Sequence, residues 1–452
     1  MGGQGFADAV VAPEDLPALL ADVDPRVQAL RRLGVRGRAR VIAGLARWWL
    51  AACDASPDVP GAPSALGALG TLLRRGCQEA GISIEMLRWG VRQTLGNWTE
   101  PALVALVERE LGSTAALDHE GDDARTQGAG ARTVAMAPRL CLQVLARTVP
   151  PAGWQSVALA WLLGSAVLIR PSTHLAALFE AFALSLAHAA PELAAVTWVA
   201  LSPAEDTAWQ RALASHADAL VIHGGDDAVA SWQAVARRDA LVVAHGHRVS
   251  AAFLSAAGLA EPALSENLRG LALDLCAWDQ TGCLSPVTLY VEDSGPVSAD
   301  QVAQRLVEDA LPAIEAELPP GPWGADVLAE RTLFVRTRMI EANVYASRSG
   351  TAHVLVTADT APLEGSCLHR VLLVRPVASL DALVATLRQS APYLQALAVG
   401  GPAAMRAELA ERLATSGLNR VCAPGQMQRP PLSWSHDGRG CLRPLVRWTD
   451  IE

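Results

Sequence analysis

The sequence lacks the features that define several large classes of protein. It contains no GxGxxG stretch, so the standard dinucleotide-binding fingerprint is missing. Its eight cysteines include no CxxC pair and are too widely scattered for a disulfide scaffold. The longest apolar run, residues 157–169, is well short of the ~20 residues that a membrane-spanning helix requires. These absences argue against a small secreted domain, a membrane span and the commonest type of nucleotide site.

Charged residues are scarce as well. They make up 18% of the chain, whereas apolar residues make up 51%, so the chain can bury large cores. The net charge is −9, and basic residues are dispersed, with no cluster beyond short pairs such as Arg31-Arg32, which argues against binding to nucleic acid. The N-terminus has no basic region followed by an apolar run, so we expect no secretory signal and a cytoplasmic location. A chain of 452 residues predicts two domains with appendages.

The N-terminal region carries a helical pattern and no obvious chemistry. Residues 1 to about 115 have apolar positions at helical spacing, interrupted by prolines at 57–63. A polar, glycine-rich loop follows at 118–132. Residues 133–149 then predict one or two strands around Pro138, which we interpret as an arm that extends from the body.

From residue 155 onwards, short apolar runs alternate with amphipathic segments. Runs of this kind are typical of strands buried on both faces, and the alternation predicts a parallel sheet covered by helices. The predicted strands are 166–170, 196–200, 219–223 and 241–245, and the predicted helices are 174–190, 205–217 and 228–236. Ligands of such sheets bind beyond the carboxyl ends of the strands. Gly224-Gly225 stands at one such end, either as a phosphate cradle or as a plain turn.

A second α/β set follows, so the predicted fold class is α/β with two sheets. Its predicted strands are 287–291, 332–335, 353–357, 371–374 and 396–399, and its predicted helices are 299–318, 380–387 and 402–413. The C-terminus alternates like a strand that joins the edge of another sheet, in this chain or in a neighbour. We therefore predict a helical region with a cofactor-binding domain at 1–252, a catalytic domain at 253–421 and a C-terminal arm at 422–452.

The turn from Asp274 to Pro286 contains the best candidate nucleophile, Cys283. It joins a helical segment to a predicted strand, and a small residue precedes the cysteine. An isolated cysteine is more often a buried hydrophobic residue than a catalytic one. Asp279 and Gln280 either brace this turn or contact a substrate. For His245, His247 and the His436-Asp437 pair, proton transfer competes with a structural role.

Two stretches carry a family resemblance. Trp278-Asp-Gln-Thr-Gly-Cys-Leu-Ser-Pro286 is similar to the Trp-Asp-Gln-x-x-Cys-x-Ser-Pro of the LuxC-type acyl-CoA reductases, which belong to the aldehyde dehydrogenase superfamily. The ending from His436-Asp-Gly to Leu-Val-Arg447 also resembles that family's C-terminus. The resemblance covers residues from about 130 onwards. It implies an aldehyde-dehydrogenase-like fold with a cofactor domain, a catalytic domain and an arm.

The same resemblance implies roles for particular residues. Cys283 would be the nucleophile that accepts the acyl group, with Thr148 and Gln280 as further catalytic candidates. Thr173 stands where the superfamily has a Glu that would repel a 2′-phosphate, and Arg170 can pair with one, so we expect NADPH, with NADH as the alternative. The implied cofactor-binding residues are Gly164, Arg170, Pro171, Ser172, Thr173, Gly224 and Gly225.

Two positions depart from the superfamily pattern. Ala244 occupies the position of the Glu that activates water in hydrolytic aldehyde dehydrogenases, which favours thioester exchange over hydrolysis. Thr148, in Arg147-Thr-Val-Pro150, occupies the position of the Asn that stabilises the oxyanion. A Thr hydroxyl still donates one hydrogen bond.

These residues lead to one main function and two alternatives. The main prediction is an NAD(P)H-dependent reductase that converts an acyl-CoA or another acyl thioester to a fatty aldehyde. The alternatives are a hydrolytic aldehyde dehydrogenase and an inactive scaffold that binds an acyl-transfer partner. We expect no metal site, and we expect a homo-dimer or higher oligomer formed through the arm.

Overall fold

The computed structural model describes residues 10–12, 15–54, 64–118, 125–127, 131–201 and 206–451. The predicted proline break at 57–63 and most of the predicted loop at 118–132 lie outside these residues. The predicted α/β class is confirmed, because most of the described chain consists of two large sheets and the helices that accompany them.

The N-terminal region is helical, as its apolar spacing predicts. Ser83 and Thr99 cap two of the helices by accepting hydrogen bonds from backbone N–H groups, as N-cap residues usually do. The helices are Leu16–Ala21, Val23–Arg31, Gly34–Asp54, Ser64–Ala80, Ile84–Leu95, Glu100–Leu111 and Ala115–Asp118. These helices pack on the first sheet domain through aromatic rings. The ring centroid of Trp49 lies 4.7 Å from that of Trp154, and the ring centroid of Trp154 lies 4.9 Å from that of Phe182.

The first sheet has six parallel strands. In spatial order they are Val10–Val11, Thr197–Ala200, Ala166–Arg170, Leu140–Val144, Ala219–His223 and Leu241–His245. The helices connected with it are Pro150–Leu163, Ala176–Ala189, Pro191–Ala194, Thr207–His216 and Asp226–Val235. After the central strand Leu140–Val144, the chain adds two strands on one side of it and then two strands on the other side. The carboxyl end of that strand is therefore a topological switch point, where ligands of such sheets bind.

The predicted arm at 133–149 is wrong in its second half. Residues Leu140–Val144 are buried throughout and form the centre of the first sheet, because this apolar run needs protein on both faces. Only the part before Pro138 belongs to an arm. Strand Ala131–Met136 pairs in antiparallel fashion with Arg447–Ile451 on one side and with Arg125–Gln127 on the other. The C-terminal strand thus pairs within its own chain.

The second sheet has seven strands and is parallel except at one edge. In spatial order they are Ala342–Ala346, His353–Thr357, Val371–Val377, Pro286–Glu292, Val249–Leu254, Leu394–Gly400 and Arg420–Cys422, the first being antiparallel to its neighbour. The accompanying helical segments are Ala263–Cys276, Ala299–Arg305, Leu306–Ala310, Leu311–Glu317, Ala325–Arg338, Leu380–Arg388 and Ala403–Arg412.

Two sequence predictions for this second half need correction. Residues 332–335 do not form a strand but lie in helix Ala325–Arg338, with Leu333 65% exposed. Their β-branched and aromatic character is outweighed by the helix formers on both sides. The predicted domain boundary at 252/253 falls inside strand Val249–Leu254, so the second sheet begins before it.

No helix within the described residues is long and apolar enough to span a bilayer. The apolar run at 157–169 is divided between helix Pro150–Leu163 and strand Ala166–Arg170.

Candidate active site

A cavity of about 1000 Å³ lies at the switch point of the first sheet and reaches the turn that precedes strand Pro286–Glu292. Both halves of the chain and its C-terminal segment contribute to its wall. The lining residues whose side chains could take part in a reaction or bind a ligand are Thr148, Arg170, His223, His245, Cys283 and His436. The cavity therefore gathers groups that are far apart in the sequence.

The turn before Cys283 is held in an unusual conformation. Trp278, Asp279 and Gln280 have φ angles of 57°, 47° and 64°, which place three consecutive non-glycine residues in the left-handed region. Such residues cost of order 1–3 kcal/mol each and persist only where the surroundings fix them. The turn thus requires strong contacts, and the Asp279 and Gln280 side chains provide them.

Asp279 makes a buried ion pair with Arg370. The Arg370 Nε lies 2.7 Å from Asp279 Oδ1, and the other carboxylate oxygen accepts hydrogen bonds from Gly321 N at 2.9 Å and Trp323 Nε1 at 2.8 Å. Arg370 itself ends a second left-handed turn that begins at Leu368, with φ of 61° and 63° at its two ends. The ion pair joins the two turns, and the first residue of each, Trp278 and Leu368, lines the cavity.

Gln280 braces the turn and does not line the cavity, so the alternative of a structural role is the one that fits. Its side chain is fully buried, and its Nε2 donates to Pro286 O at 2.8 Å and to Val371 O at 3.0 Å. Its Oε1 accepts from Val371 N at 2.9 Å. All these contacts are with backbone atoms of the second sheet, which leaves the amide no contact with a substrate.

Cys283 faces the cavity. Its side chain is accessible to solvent in the cavity, but protein surrounds it, and this burial together with the charge of Asp437 raises the pKa of the thiol to about 12. The backbone N–H groups of Cys283 and Leu284 and the Arg248 guanidinium act in the opposite direction, because they stabilise the thiolate. At neutral pH the resting group is a thiol, and an attack by its sulfur needs a base.

Such a base stands on the neighbouring wall. His245 Nδ1 lies 2.6 Å from Asp437 Oδ2, and Arg248 Nε donates to Asp437 Oδ1 at 3.0 Å. Burial alone would raise the pKa of Asp437, but its hydrogen bond with His245 and the nearby positive groups hold that pKa well below the usual range. Because Asp437 stays ionised, it accepts a hydrogen bond, and the ring proton of His245 therefore lies on Nδ1. The lone pair of Nε2 is then available to accept a proton from another group.

The residue that carries this carboxylate is itself held in a left-handed conformation, with φ of 53° at Asp437 in the turn His436–Gly438. The sequence pair His436-Asp437 is therefore not a dyad, because Asp437 pairs with His245 instead. Ala244, the position predicted to decide water activation, does not line the cavity, whereas His245 does. Successive residues of a strand point to opposite faces of the sheet. The side chain that faces the cavity at this point of the strand is therefore the histidine and not the alanine before it.

Three histidine rings that line the same cavity as the Cys283 thiol pack against one another. His223 and His245 are register partners on neighbouring parallel strands, and their ring centroids lie 4.6 Å apart. The ring centroid of His436 lies 4.0 Å from that of His245 and 6.0 Å from that of His223. Burial lowers the pKa of His223 well below its ordinary value and that of His436 to about 3, so both rings are neutral at pH 7.

Thr148 also lines the cavity, beside another strained residue. Val149, a β-branched residue, has φ of 54° and precedes helix Pro150–Leu163. A Cβ added to Gly282 would lie 3.2 Å from Val149 Cγ2, so this turn packs directly against the Cys283 turn. The helix begins at the cavity, and the positive end of its dipole favours developing negative charge there.

The predicted cofactor residues divide into two groups. Arg170, Ser172, Gly224 and Gly225 line the cavity at the carboxyl ends of two strands, and the buried Ser172 hydroxyl has no hydrogen-bond partner among the residues that the structure describes. A Cβ on Gly225 would meet nothing within 4 Å, which leaves room for a close ligand. These four residues fit a nucleotide.

The remaining three predicted positions, Gly164, Pro171 and Thr173, do not line the cavity. Gly164 lies at the opposite edge of the sheet, where its carbonyl accepts a hydrogen bond from Arg31 Nε at 3.0 Å. It precedes strand Ala166–Arg170, whereas the cavity lies beyond the end of that strand, so the prediction for Gly164 is wrong. Thr173 is exposed next to Ser172.

Comparison with known proteins agrees with this geometry. A family model described as acyl-CoA reductase (LuxC) matches residues 78–448, which extends the resemblance upstream of residue 130. The long-chain acyl-protein thioester reductase of Vibrio harveyi is 24% identical over 378 residues, covering 78% of this chain and 72% of that protein. The enzyme of the same name from Aliivibrio fischeri is 22% identical over 249 residues, covering 55% of this chain and half of that protein.

Solved structures show the fold. An aldehyde dehydrogenase from Brucella melitensis biovar abortus 2308 superposes with a TM-score of 0.71 at 11% identity, covering 98% of this chain and 90% of that one. A bifunctional proline utilization A (PutA) protein superposes with a TM-score of 0.69 at 14% identity, covering 99% of this chain and 46% of that one. The predicted aldehyde-dehydrogenase-like fold is confirmed.

Proposed function

Because the chain belongs to the LuxC family of acyl-CoA reductases, we propose that it reduces an acyl thioester to an aldehyde through an acyl group held on Cys283. The observation that carries this proposal is the arrangement of one cavity. A cysteine, a histidine oriented by a carboxylate, and residues that fit a nucleotide all line it. Nucleophile, base and orienting group are the parts that covalent acyl transfer needs.

In the first half-reaction the thiol must lose its proton. With a pKa of about 12, only ~1 in 10⁵ of the Cys283 side chains is a thiolate at pH 7. A positioned base contributes about 10²–10⁴, so His245 offsets most of that deficit. Its Nε2 takes the proton while Sγ attacks the thioester carbonyl. The bond between the carbonyl carbon and the sulfur of the leaving thiol then breaks, and His245 returns the proton to that thiolate.

Each tetrahedral intermediate carries an oxyanion that needs hydrogen-bond donors. The Cys283 backbone N–H and the Thr148 hydroxyl are the proposed donors, and the N-terminus of helix Pro150–Leu163 adds its dipole. Val149 packs against Gly282, so this donor pair depends on the contact between the two turns. In this role Thr148 supplies one hydroxyl donor where the superfamily has an amide.

The second half-reaction reduces the acyl group. When bound, a nicotinamide cofactor would supply the hydride that adds to the carbonyl carbon of the acyl group. The thiohemiacetal oxyanion on Cys283 then collapses, the bond from carbon to Sγ breaks, and the aldehyde leaves. Cys283 leaves this step as a thiolate and takes up one proton from solvent, relayed by His245, which restores the resting state.

Arg170, Ser172, Gly224 and Gly225 would hold the cofactor, and we propose NADPH ahead of NADH. The Arg170 side chain is largely buried in the cavity wall, and burial lowers its pKa. A 2′-phosphate would offset this cost of desolvation through a charge-assisted hydrogen bond. The lack of a Glu next to Ser172 removes the repulsion that such a phosphate would otherwise meet.

The wall of the cavity is compatible with an apolar acyl chain. The apolar side chains of Trp89, Leu159, Phe179, Trp278 and Leu284 form part of its lining. Relatives at 22–24% identity are named long-chain acyl-protein thioester reductases. On this basis we propose a long-chain acyl thioester, carried by coenzyme A or by a protein, as the substrate.

Hydrolysis of the acyl-enzyme is the second candidate. The argument against it rested on Ala244, but His245 is the residue that faces the cavity. A histidine with a free Nε2 can activate water as well as a thiol. The two candidates differ in product, because reduction gives an aldehyde and hydrolysis gives an acid.

The experiment is product analysis with purified protein, an acyl-CoA series and either NADPH or NADH. We expect aldehyde from the wild type and none from Cys283→Ala. Cys441 lines the same cavity, so Cys441→Ala is the matched control and should retain activity. Acid without aldehyde would favour the hydrolytic candidate, and aldehyde from Cys283→Ala would exclude the acyl-enzyme.

A further inference from the structure

His223, His245 and His436 form a cluster whose possible ligand atoms all lie within 4.8 Å of one another. Within the described parts of the chain, no other group of three or more metal-ligating side chains is this compact. The sequence predicted no metal site, because these residues are far apart along the chain and match no metal-binding motif. We propose that the three imidazoles bind a divalent transition metal, with Zn²⁺ as the best match, and that the bound metal inhibits the reductase.

The outer contacts of the cluster are those of a metal site. A histidine that binds a metal usually donates its second ring N–H to a carboxylate, which fixes the tautomer. His245 has this arrangement, since its Nδ1 lies 2.6 Å from Asp437 Oδ2 and its Nε2 remains available. The side chain of Asp437 is 2% exposed, so its negative charge is buried next to the cluster. This charge favours a cation there.

The backbone already fixes two of the three ligands. His223 and His245 end neighbouring parallel strands in register, which holds their positions independently of any metal. His436 comes from the turn that also carries Asp437, so one short segment supplies a ligand and the outer carboxylate.

The rings must turn before a metal can bind. They are stacked at interplanar angles of 18° and 11°, so their nitrogen lone pairs lie in nearly parallel planes and do not converge on one point. Zn²⁺ needs nitrogens at about 2.0–2.1 Å in a tetrahedral arrangement. Among the described residues, the one hydrogen-bond contact of the His223 ring is with Ser156 Oγ at 3.3 Å, and the His436 ring makes stacking contacts, so no strong hydrogen bond opposes the rotation about χ2 that metal binding requires.

Metal binding would remove the base that the proposed reaction uses. The inhibitory part of this inference therefore rests on the proposed function, whereas the binding part does not. A metal on His245 Nε2 occupies the lone pair that accepts the thiol proton. Zn²⁺ would thus block acylation of Cys283 and leave the overall fold unchanged.

Binding is tested first on the protein without its thiol. Calorimetric titration of Cys283→Ala with Zn²⁺ should give one Zn²⁺ per chain. His436→Ala in the same background should lose this binding, and Asp437→Asn should weaken it about 10–100-fold, as loss of an outer carboxylate does. His247→Ala is the matched control, because His247 is an exposed neighbour outside the cluster, and its affinity should not change.

Inhibition is tested next on the protein with its thiol. Zn²⁺ should inhibit aldehyde formation by the wild type, and His436→Ala should need at least tenfold more Zn²⁺ for the same fractional inhibition. Equal sensitivity of the two proteins would assign the metal to Cys283 alone and overturn the proposal. Absence of calorimetric binding would also overturn it. Normal aldehyde formation without Zn²⁺ binding would refute only this inference, whereas binding without aldehyde formation would refute only the proposed function.

Discussion

Replacing Asp437 by Asn separates the two effects that this carboxylate has on Cys283. The change keeps the shape of the side chain, and Asn tolerates the φ of 53°. With the new carbonyl oxygen facing Arg248, the amide N–H₂ faces His245 Nδ1, which moves the ring proton to Nε2 and removes the base. The loss of base catalysis should cost about 10²–10⁴ in the acylation rate.

The second effect of this substitution has the opposite sign. The negative charge of Asp437 raises the pKa of Cys283, so its removal lowers that pKa and increases the thiolate fraction. One charge in a cavity wall changes a pKa by about one unit, which corresponds to tenfold more thiolate. The loss is larger than the gain, so acylation by Asp437→Asn should be about 10–1000-fold slower than in the wild type.

Two rates measured on the same protein test this reasoning. Time-resolved intact mass spectrometry gives the rate of acyl loading, and alkylation by iodoacetamide between pH 7 and 10 gives the thiolate fraction. Acylation should become slower while alkylation becomes faster. Asp226→Asn is the control, because it removes one charge at the same edge of the first sheet, where Asp226 accepts a hydrogen bond from His247 N. The reasoning fails if both rates of Asp437→Asn rise together or if neither differs from the control.

Three further perturbations test the framework around the site. Burial raises the pKa of Asp274 to about 7, above its ordinary value near 3.9, so its contribution to stability is complete below pH 4 and is lost as the pH rises through 7. The free energy of unfolding should therefore fall over this window by up to ~1.4 kcal/mol per pH unit, and denaturant titrations of Asp274→Asn should show a flatter profile; an unchanged profile would contradict the assignment. Arg370→Met leaves the Asp279 charge buried and unpaired, so the free energy of unfolding should drop by about 3–5 kcal/mol, and a drop below 1 kcal/mol would mean that the ion pair does not hold the two turns. In Gly90→Ala the new Cβ would lie 2.2 Å from the Trp278 ring. We therefore expect the free energy of unfolding to fall by about 1–3 kcal/mol and acyl loading to become slower. If neither quantity changes, the Trp278 ring moves freely and does not hold the turn.

The strands that the sequence predicted correctly are those with a strong local signal. Continuous apolar runs such as Ala166–Arg170 and Ala219–His223 were identified because burial on both faces leaves few polar positions. Strand Leu140–Val144 is also an apolar run, but it follows Pro138 and the arm strand so closely that the sequence pattern assigned it to the arm instead of to the sheet. The helix at residues 332–335 was missed because its local residues favour a strand and only the flanking sequence favours a helix.

The candidate site was predictable only where a motif is local. The Cys283 turn is continuous in sequence, so its residues could be recognised together. The contact of His245 with Asp437 joins residues 192 positions apart, and no spacing rule connects them. Ala244 was assigned in place of His245 because an alignment without a structure does not show which of two adjacent strand residues faces a cavity. Gly164 was assigned to the cofactor for a similar reason, since the motif does not show at which edge of the sheet it lies.

The central claim is that Cys283 carries the acyl group that is then reduced. The most direct measurement is intact mass spectrometry, with peptide mapping, of the protein mixed with a long-chain acyl-CoA before and after the addition of NADPH. The account predicts one acyl group per chain on Cys283, which disappears on addition of NADPH as an equal amount of aldehyde forms. An acyl group on Cys441 or another residue, or one that stays on Cys283 in the presence of both NADPH and NADH, would contradict it.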